Sequence, residues 1–172
     1  MSLVLIQAQV LSASAPSVTF SGIPQTFKTL KLVVSARSDY TNYDDVLMVQ
    51  LNGATSGYAG RRLWGTGSST ASDSLSNVNG AAAGSSMPAG AINGGGSNAY
   101  MFGSLELTIP DYAGSLAKAI IGEGVNETNA SGATTQMAAG AGPAAAIVSL
   151  TLLHYYVSNF VAGSTFYLYG LS

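Results

Sequence analysis

The chain has 172 residues, 8% of them charged, with a formal net charge of -2 and no cysteine. The missing thiols exclude a disulfide framework, a thiolate metal site and a cysteine nucleophile, and six scattered basic residues leave no electrostatic footprint for nucleic acid or anionic lipid. The length fits one domain, 1–172, but no Asp, Glu, Lys or Arg occurs before Lys28, after Glu127 or between Ser74 and Leu105, so surface that soluble domains usually give to charge is expected to lie against other proteins.

The first segment, 1–15, reads as an N-terminal strand or arm. Leu3-Val4-Leu5-Ile6 is apolar, but no positive residue precedes it and Gln7 and Gln9 interrupt the run, which is not the pattern of a secretory signal. No stretch reaches the roughly 18 consecutive apolar residues of a spanning helix, so a cytoplasmically made, soluble product is expected. Further along, short alternating or clustered apolar runs bounded by Gly, Ser, Asn and Pro predict strands at 3–10, 17–20, 30–36, 46–52, 58–64, 100–109, 116–122, 147–154 and 165–169. No helical period is sustained, although the stretch 137–147 has room for a turn.

Turn chemistry divides the runs. Ser21-Gly22-Ile23-Pro24 separates two of them, Asn52-Gly53 follows the alternating Val46, Met48 and Gln50, and Pro110 ends the run of 105–109 because proline cannot donate into a sheet interior. Between 65 and 98 the composition turns to Gly, Ser, Ala and Asn, including Ala81-Ala82-Ala83-Gly84-Ser85-Ser86 and Gly94-Gly95-Gly96, which predicts a long loop ordered against a neighbouring subunit. The stretch 129–146 is expected to behave in the same way. Eight or nine short strands in one domain predict an all-β fold, an antiparallel β-sandwich of jelly-roll type.

The residues offer little chemistry. His154 is the single histidine, within Leu150-Thr151-Leu152-Leu153-His154, and reads as a strand residue packed or hydrogen-bonded near a sheet end. A Ser-His-Asp arrangement lacks any Gly-x-Ser-x-Gly elbow to single out a serine. The acidic cluster Asp39-Tyr40-Thr41-Asn42-Tyr43-Asp44-Asp45 departs from the EF-hand pattern and reads as a polar turn. Gly65-Thr66-Gly67-Ser68-Ser69 has neither Rossmann spacing nor a P-loop lysine. Paired carboxylates for glycoside hydrolysis would have to come from Glu106, Glu123 or Glu127. Asn126-Glu127-Thr128 and Asn129-Ala130-Ser131 match glycosylation sequons. Catalytic residues, cofactor and metal are therefore each expected to be none. The tyrosines, phenylalanines and Trp64 fall mostly inside strand runs, where core or subunit contact is expected ahead of a sugar-stacking platform.

Phe20-Ser21-Gly22-Ile23-Pro24-Gln25-Thr26-Phe27, leading into Leu30-Lys31-Leu32-Val33-Val34-Ser35-Ala36-Arg37, is followed by Val46-Leu47-Met48-Val49-Gln50-Leu51-Asn52-Gly53, Tyr58 and Leu63-Trp64-Gly65-Thr66-Gly67. The chain closes on Phe160-Val161-Ala162-Gly163-Ser164-Thr165-Phe166-Tyr167-Leu168-Tyr169-Gly170. In this order the pieces resemble a virion structural module of tailed bacteriophages. That β-sandwich domain is found in capsid decoration (cement) proteins and at the ends of tail-fibre proteins, notably in phages of cyanobacteria and other aquatic hosts. The resemblance covers most of the chain and is weakest over 68–98 and 129–146.

It implies a non-enzymatic protein of the virion, a homotrimer that binds the outer capsid surface and stabilises contacts between subunits of the major capsid protein, with no nucleic-acid or membrane partner. A fibre brings an attachment segment and a coiled-coil or β-helical shaft; no heptads occur here, which favours a stand-alone decoration protein. Leu3, Leu5, Trp64 and Met87 are the expected interface residues. The alternative is a tail-fibre or receptor-binding module that recognises host surface polysaccharide.

Overall fold

The computed structural model describes residues 2–74, 85–127 and 133–172. Its strands are β1 (Leu3–Val10), β2 (Val18–Ser21), β3 (Thr29–Ala36), β4 (Asp44–Leu51), β5 (Ala59–Gly65), β6 (Thr70–Asp73), β7 (Met87–Asn93), β8 (Gly103–Pro110), β9 (Ala119–Glu127), β10 (Ala133–Ala141), β11 (Ser149–His154) and β12 (Thr165–Leu171). They form two antiparallel sheets packed together, one in the order β1-β12-β3-β8-β9-β10-β5-β6 and the other β2-β11-β4-β7. The protein is an all-β sandwich, and no helix occurs among the described residues.

The pairing is nested. β1 lies beside β12, β2 beside β11, β3 beside β8, and β4 beside β7, so the chain folds back on itself while successive strands cross from one sheet to the other. Period-2 burial makes the core from both inner faces: Leu30, Leu32 and Val34 on β3, Leu105, Leu107 and Ile109 on β8, and Phe166 and Leu168 on β12 meet Leu47, Val49 and Leu51 on β4 and Leu150 and Leu152 on β11. Phe160 closes one end, edge to face with Phe166 at 4.9 Å between ring centroids. Tyr112, fully buried, gives its hydroxyl to the Pro24 carbonyl.

Asn52 and Gly53 both take positive φ (53° and 67°), and the Ala54 N–H donates to the Leu51 carbonyl at 2.9 Å, so the expected Asn-Gly turn is present. The Asn52 side chain also joins distant parts of the chain. Its amide nitrogen donates to the Ala146 carbonyl at 2.8 Å, and its oxygen accepts from the N–H groups of Val148 and Ser149.

The loop expected over 65–98 is largely a different structure. Thr66 and Ser69 close a hairpin into β6, and β7 is the last strand of the smaller sheet, its seven residues all buried. Only 75–84, with most of the Ala81 to Ser86 run, lies outside the described residues. Gly94-Gly95-Gly96 packs as a turn on the acidic segment. The Gly94 N–H donates to the Tyr43 carbonyl at 2.9 Å and that of Gly96 to Asn42 at 3.0 Å, and a Cβ on Gly94 would stand 2.2 Å from the Asn42 oxygen.

The stretch 129–146 likewise contains β10, paired with β9 on one side and β5 on the other. β9 and β7 approach until backbone meets backbone: a Cβ added to Gly122 would fall 1.9 Å from the Ala89 oxygen, and one on Gly124 2.9 Å from that of Ala91. Sheets in a sandwich usually stand about 10 Å apart. Residues larger than Gly and Ala have no room along this seam, which is a physical reason for the small-residue composition of the chain.

Candidate functional site

The expected interface residues occupy three environments. Leu3 (55% exposed) and Leu5 (50% exposed) lie on β1. Trp64 is half-buried on β5, beneath the Arg62 guanidinium at 4.5 Å from the ring centroid; Arg62 in turn makes a bidentate pair with Asp73 at 2.8 Å for both bonds. Met87 is fully buried in the core. Its assignment to an interface is corrected: the side chain fills the interior and presents nothing at the surface. Leu3 and Leu5 belong to one edge of the large sheet and Trp64 to the strand beside the other edge, on the order of 30 Å apart along a sheet of ordinary spacing.

β1 is the more distinctive surface. Among the described strands it pairs only with β12. A bulge between Leu5 and Gln7 shifts its register, leaving Leu3, Val4 and Leu5 exposed in succession, with Val10 exposed at the far end. Gln7 and Gln9, the residues that break the apolar run, donate to the carbonyls of Ser21 and Thr19 at 2.6 and 2.8 Å and so cover the edge of β2. β1 itself carries no charge and no proline, the usual devices against edge-to-edge association. β6, at the opposite edge, is short and bears Asp73.

His154, at the end of β11, is buried at 1% exposure beside Asp45 at 0%. The Asp45 carboxylate oxygen Oδ2 is 3.0 Å from His154 Nδ1 and accepts from the Ser158 hydroxyl at 2.7 Å, while Oδ1 accepts from the Val46 N–H. These are the residue types of a hydrolase triad in another order. In a triad the imidazole stands between serine and carboxylate; here the carboxylate stands between serine and imidazole. His154 Nε2, which would take the serine proton, is buried without a hydrogen-bond partner, and the ring packs on Phe160 at 4.0 Å. The cluster holds β4, β11 and the segment after β11 together.

The other acids diverge from Asp45. Asp39 accepts from the Asn159 N–H at 2.7 Å and its side-chain amide at 2.8 Å. Partial burial pushes its carboxyl up, but these bonds and the field of His154 more than offset it and leave the group below its ordinary value. Asp44 goes the other way, raised chiefly by burial, with Arg62 pulling it partly back. No three His, Asp or Glu residues come together as a metal-binding group among the described residues.

The structure brings together two of the three glutamates that sequence left unplaced. Glu106 on β8 stands directly opposite Glu123 on β9, both on the open outer face, and Lys31 reaches Glu106 at 2.7 Å. Among the described residues the pair lies in a shallow, open depression rather than the enclosed cleft that exclusion of water from a glycosidic bond would require. Glu127 lies elsewhere and accepts from the N–H and side chain of Asn98. Asn126 of the first sequon is 1% exposed and faces inward, out of reach of a glycosylating enzyme in the folded chain; Asn129 of the second lies outside the described residues.

One arrangement had no sequence signal. Arg37, at the end of β3, donates five hydrogen bonds into 95–101: to the Gly95, Ser97, Asn98 and Met101 carbonyls and to the Ser97 hydroxyl, at 2.6 to 3.1 Å. That loop covers a cavity of about 310 Å³ at the end of the sandwich, where Asn93 and Asn126 are buried. Its residues come from β3, β7, β8 and β9, and nothing in their local patterns announces the meeting. Comparison with protein-family models, with curated proteins and with solved structures finds no match for the chain.

Proposed function

We propose that the protein is a non-enzymatic virion structural protein, a capsid decoration (cement) protein that assembles as a homotrimer. It binds the outer capsid surface and stabilises contacts between major capsid protein subunits. The observation that carries the reading is β1, an edge strand with exposed Leu3, Val4 and Leu5 and with neither charge nor proline to discourage a further strand or apolar partner. The nested orders β1-β12-β3-β8 and β2-β11-β4-β7 support a jelly-roll, extended by β9, β10, β5 and β6, and jelly-rolls recur in viral capsid domains. Apolar contact repeated over many copies is a physical means of reinforcing a shell under internal pressure.

The test is the location and copy number of the protein in purified particles. Hundreds of copies that sediment with capsids, and particles that lose heat resistance when it is omitted, are the expected result. A few copies confined to tail fractions would instead favour the second reading, a receptor-binding module for host polysaccharide.

A further inference from the structure

We propose that the end of the sandwich formed by the loops 37–43, 94–102 and 155–164 is a preorganised protein-recognition surface, and that it is the face set on the capsid shell. The assignment rests on the decoration reading and deepens it: β1 serves contact between copies, and this end meets an uncharged, apolar protein surface.

The three loops connect β3 to β4, β7 to β8 and β11 to β12. Their residues are mostly Tyr, Ser, Gly and Asn, the composition of antibody combining sites, where rigid rings supply contact area and small polar groups adapt their hydrogen bonds. Tyr40, Tyr43, Tyr100, Tyr155 and Tyr156 place five of the nine tyrosines here. Tyr100 is 93% exposed and Val157 85%, and Tyr43, Met101 and Tyr156 are exposed beside them on the same loops. On the scale of aromatic side chains these five residues present on the order of 500 Å², over half of the roughly 800 Å² that one partner gives to a standard interface.

The surface is ordered before any partner arrives. The N–H groups of Gly94, Gly95 and Gly96 donate to the carbonyls of Tyr43, Tyr40 and Asn42, and the Asp39 N–H to that of Asn159. The Asp39 carboxylate returns two bonds from Asn159, and the rings of Tyr40 and Tyr156 stack at 4.1 Å. The five bonds from Arg37 fix 95–101, where Tyr100 takes φ of 65°. Positive φ is unusual for a bulky side chain and concentrates at ligand clamps. Loops already held in one arrangement lose little freedom on docking.

Charge selects the partner. Arg37 and Asp39 are the only charged residues of the three loops, and both are spent on their own chain. Glu127, beside them, accepts from Asn98. An anionic partner would need cations free to meet it. A polysaccharide would use the rings but set its hydroxyls against Val157 and Met101. An uncharged protein surface suits rings and aliphatic side chains alike, and interface cores are rich in Tyr and Met and poor in charge.

The experiment adds the full chain to particles assembled without it and measures the bound protein by co-sedimentation. Tyr100→Asn, which suits the positive φ, and Val157→Asp should each weaken binding about tenfold, with the wild-type melting temperature and oligomeric state retained. Leu116→Asp, 73% exposed at the opposite end of the sandwich, should bind as wild type. The assignment is overturned if both loop variants bind as wild type or if Leu116→Asp weakens binding equally. It is also overturned if either loop variant changes the oligomeric state, which would make this end a contact between copies, or if the wild type binds host polysaccharide and Tyr100→Asn does not. A wild type that binds no particles refutes the decoration reading and the assignment together; one that binds while the loop variants match it refutes the assignment alone.

Discussion

Asp45 has its carboxylate wholly inside the protein, and its three hydrogen-bonded partners account for its presence there. Removing a buried acceptor leaves its hydrogen-bond partners unsatisfied, and with three partners the cost is about 3–5 kcal/mol. Asp45→Ala should therefore lower the urea-unfolding free energy by that amount, while Ser158→Ala, which removes one bond to a charged acceptor, should cost about 1.5–3 kcal/mol. Losses below about 1 kcal/mol in both would show that the cluster does not hold β4 to β11. Asp44 bears on pH. Its carboxyl is raised by burial, so its contribution to stability is present below the unfolded pKa and is lost as pH rises through the folded value. At neutral pH the ionised group opposes folding, and Asp44→Asn should melt about 2 °C above wild type, the gap closing as pH falls to about 3. A gap that widened with acid would contradict this sign. His154 was legible in sequence as a packed or hydrogen-bonded residue near a sheet end; Ser158 was not, because only the approach of the segment after β11 to β4 selects it.

At the scale of elements, β3, β8, β11 and β12 were legible from period-2 alternation, since each has one face on the core and one outward. β6, β7 and β10 were not. β7 is buried on both faces and composed largely of Ala, Gly and Pro, so it shows no alternation, and its intrinsic β preference is low. Its place comes from contact with β9 across the seam. Gly122→Val should therefore cost about 3 kcal/mol or more by forcing the sheets apart, whereas Ile121→Ser, on the exposed face of the same strand, should change stability by less than about 0.5 kcal/mol. Equal effects in a denaturant series would contradict the seam. On that outer face Glu106 and Glu123 oppose like charges, and Glu123→Lys should stabilise by about 0.2–1 kcal/mol in low salt, with less gain in high salt.

For the whole molecule the decisive feature is asymmetry between the two edges of the large sheet. β6 ends its edge in four residues with an acid, whereas β1 offers eight without charge. If β1 is the adhesive edge, Leu3→Lys with Leu5→Lys should shift the protein to monomer in sedimentation velocity, and abolish its sedimentation with capsids, while its β-sheet circular dichroism is retained. An unchanged assembly would move the contact elsewhere. The uncharged ends, read in sequence as surface against a partner, divide in the structure. The closing half supplies β11, β12 and Phe160 to the core, and among the described residues of the two ends only β1 leaves a long apolar edge in solvent.

The sequence by itself determined the all-β class, the Asn-Gly turn and most strands that have one apolar face, because a two-residue period and a turn dipeptide are local properties of the chain. Tertiary structure alone decided that a Gly/Ala stretch becomes a buried strand and that Met87 belongs to the core. It alone separated Asp39, Asp44 and Asp45 into different environments and brought Asn93 and Asn126 together under a loop held by Arg37. Those outcomes depend on which distant backbones touch, and small side chains permit such contact without spelling out where it occurs.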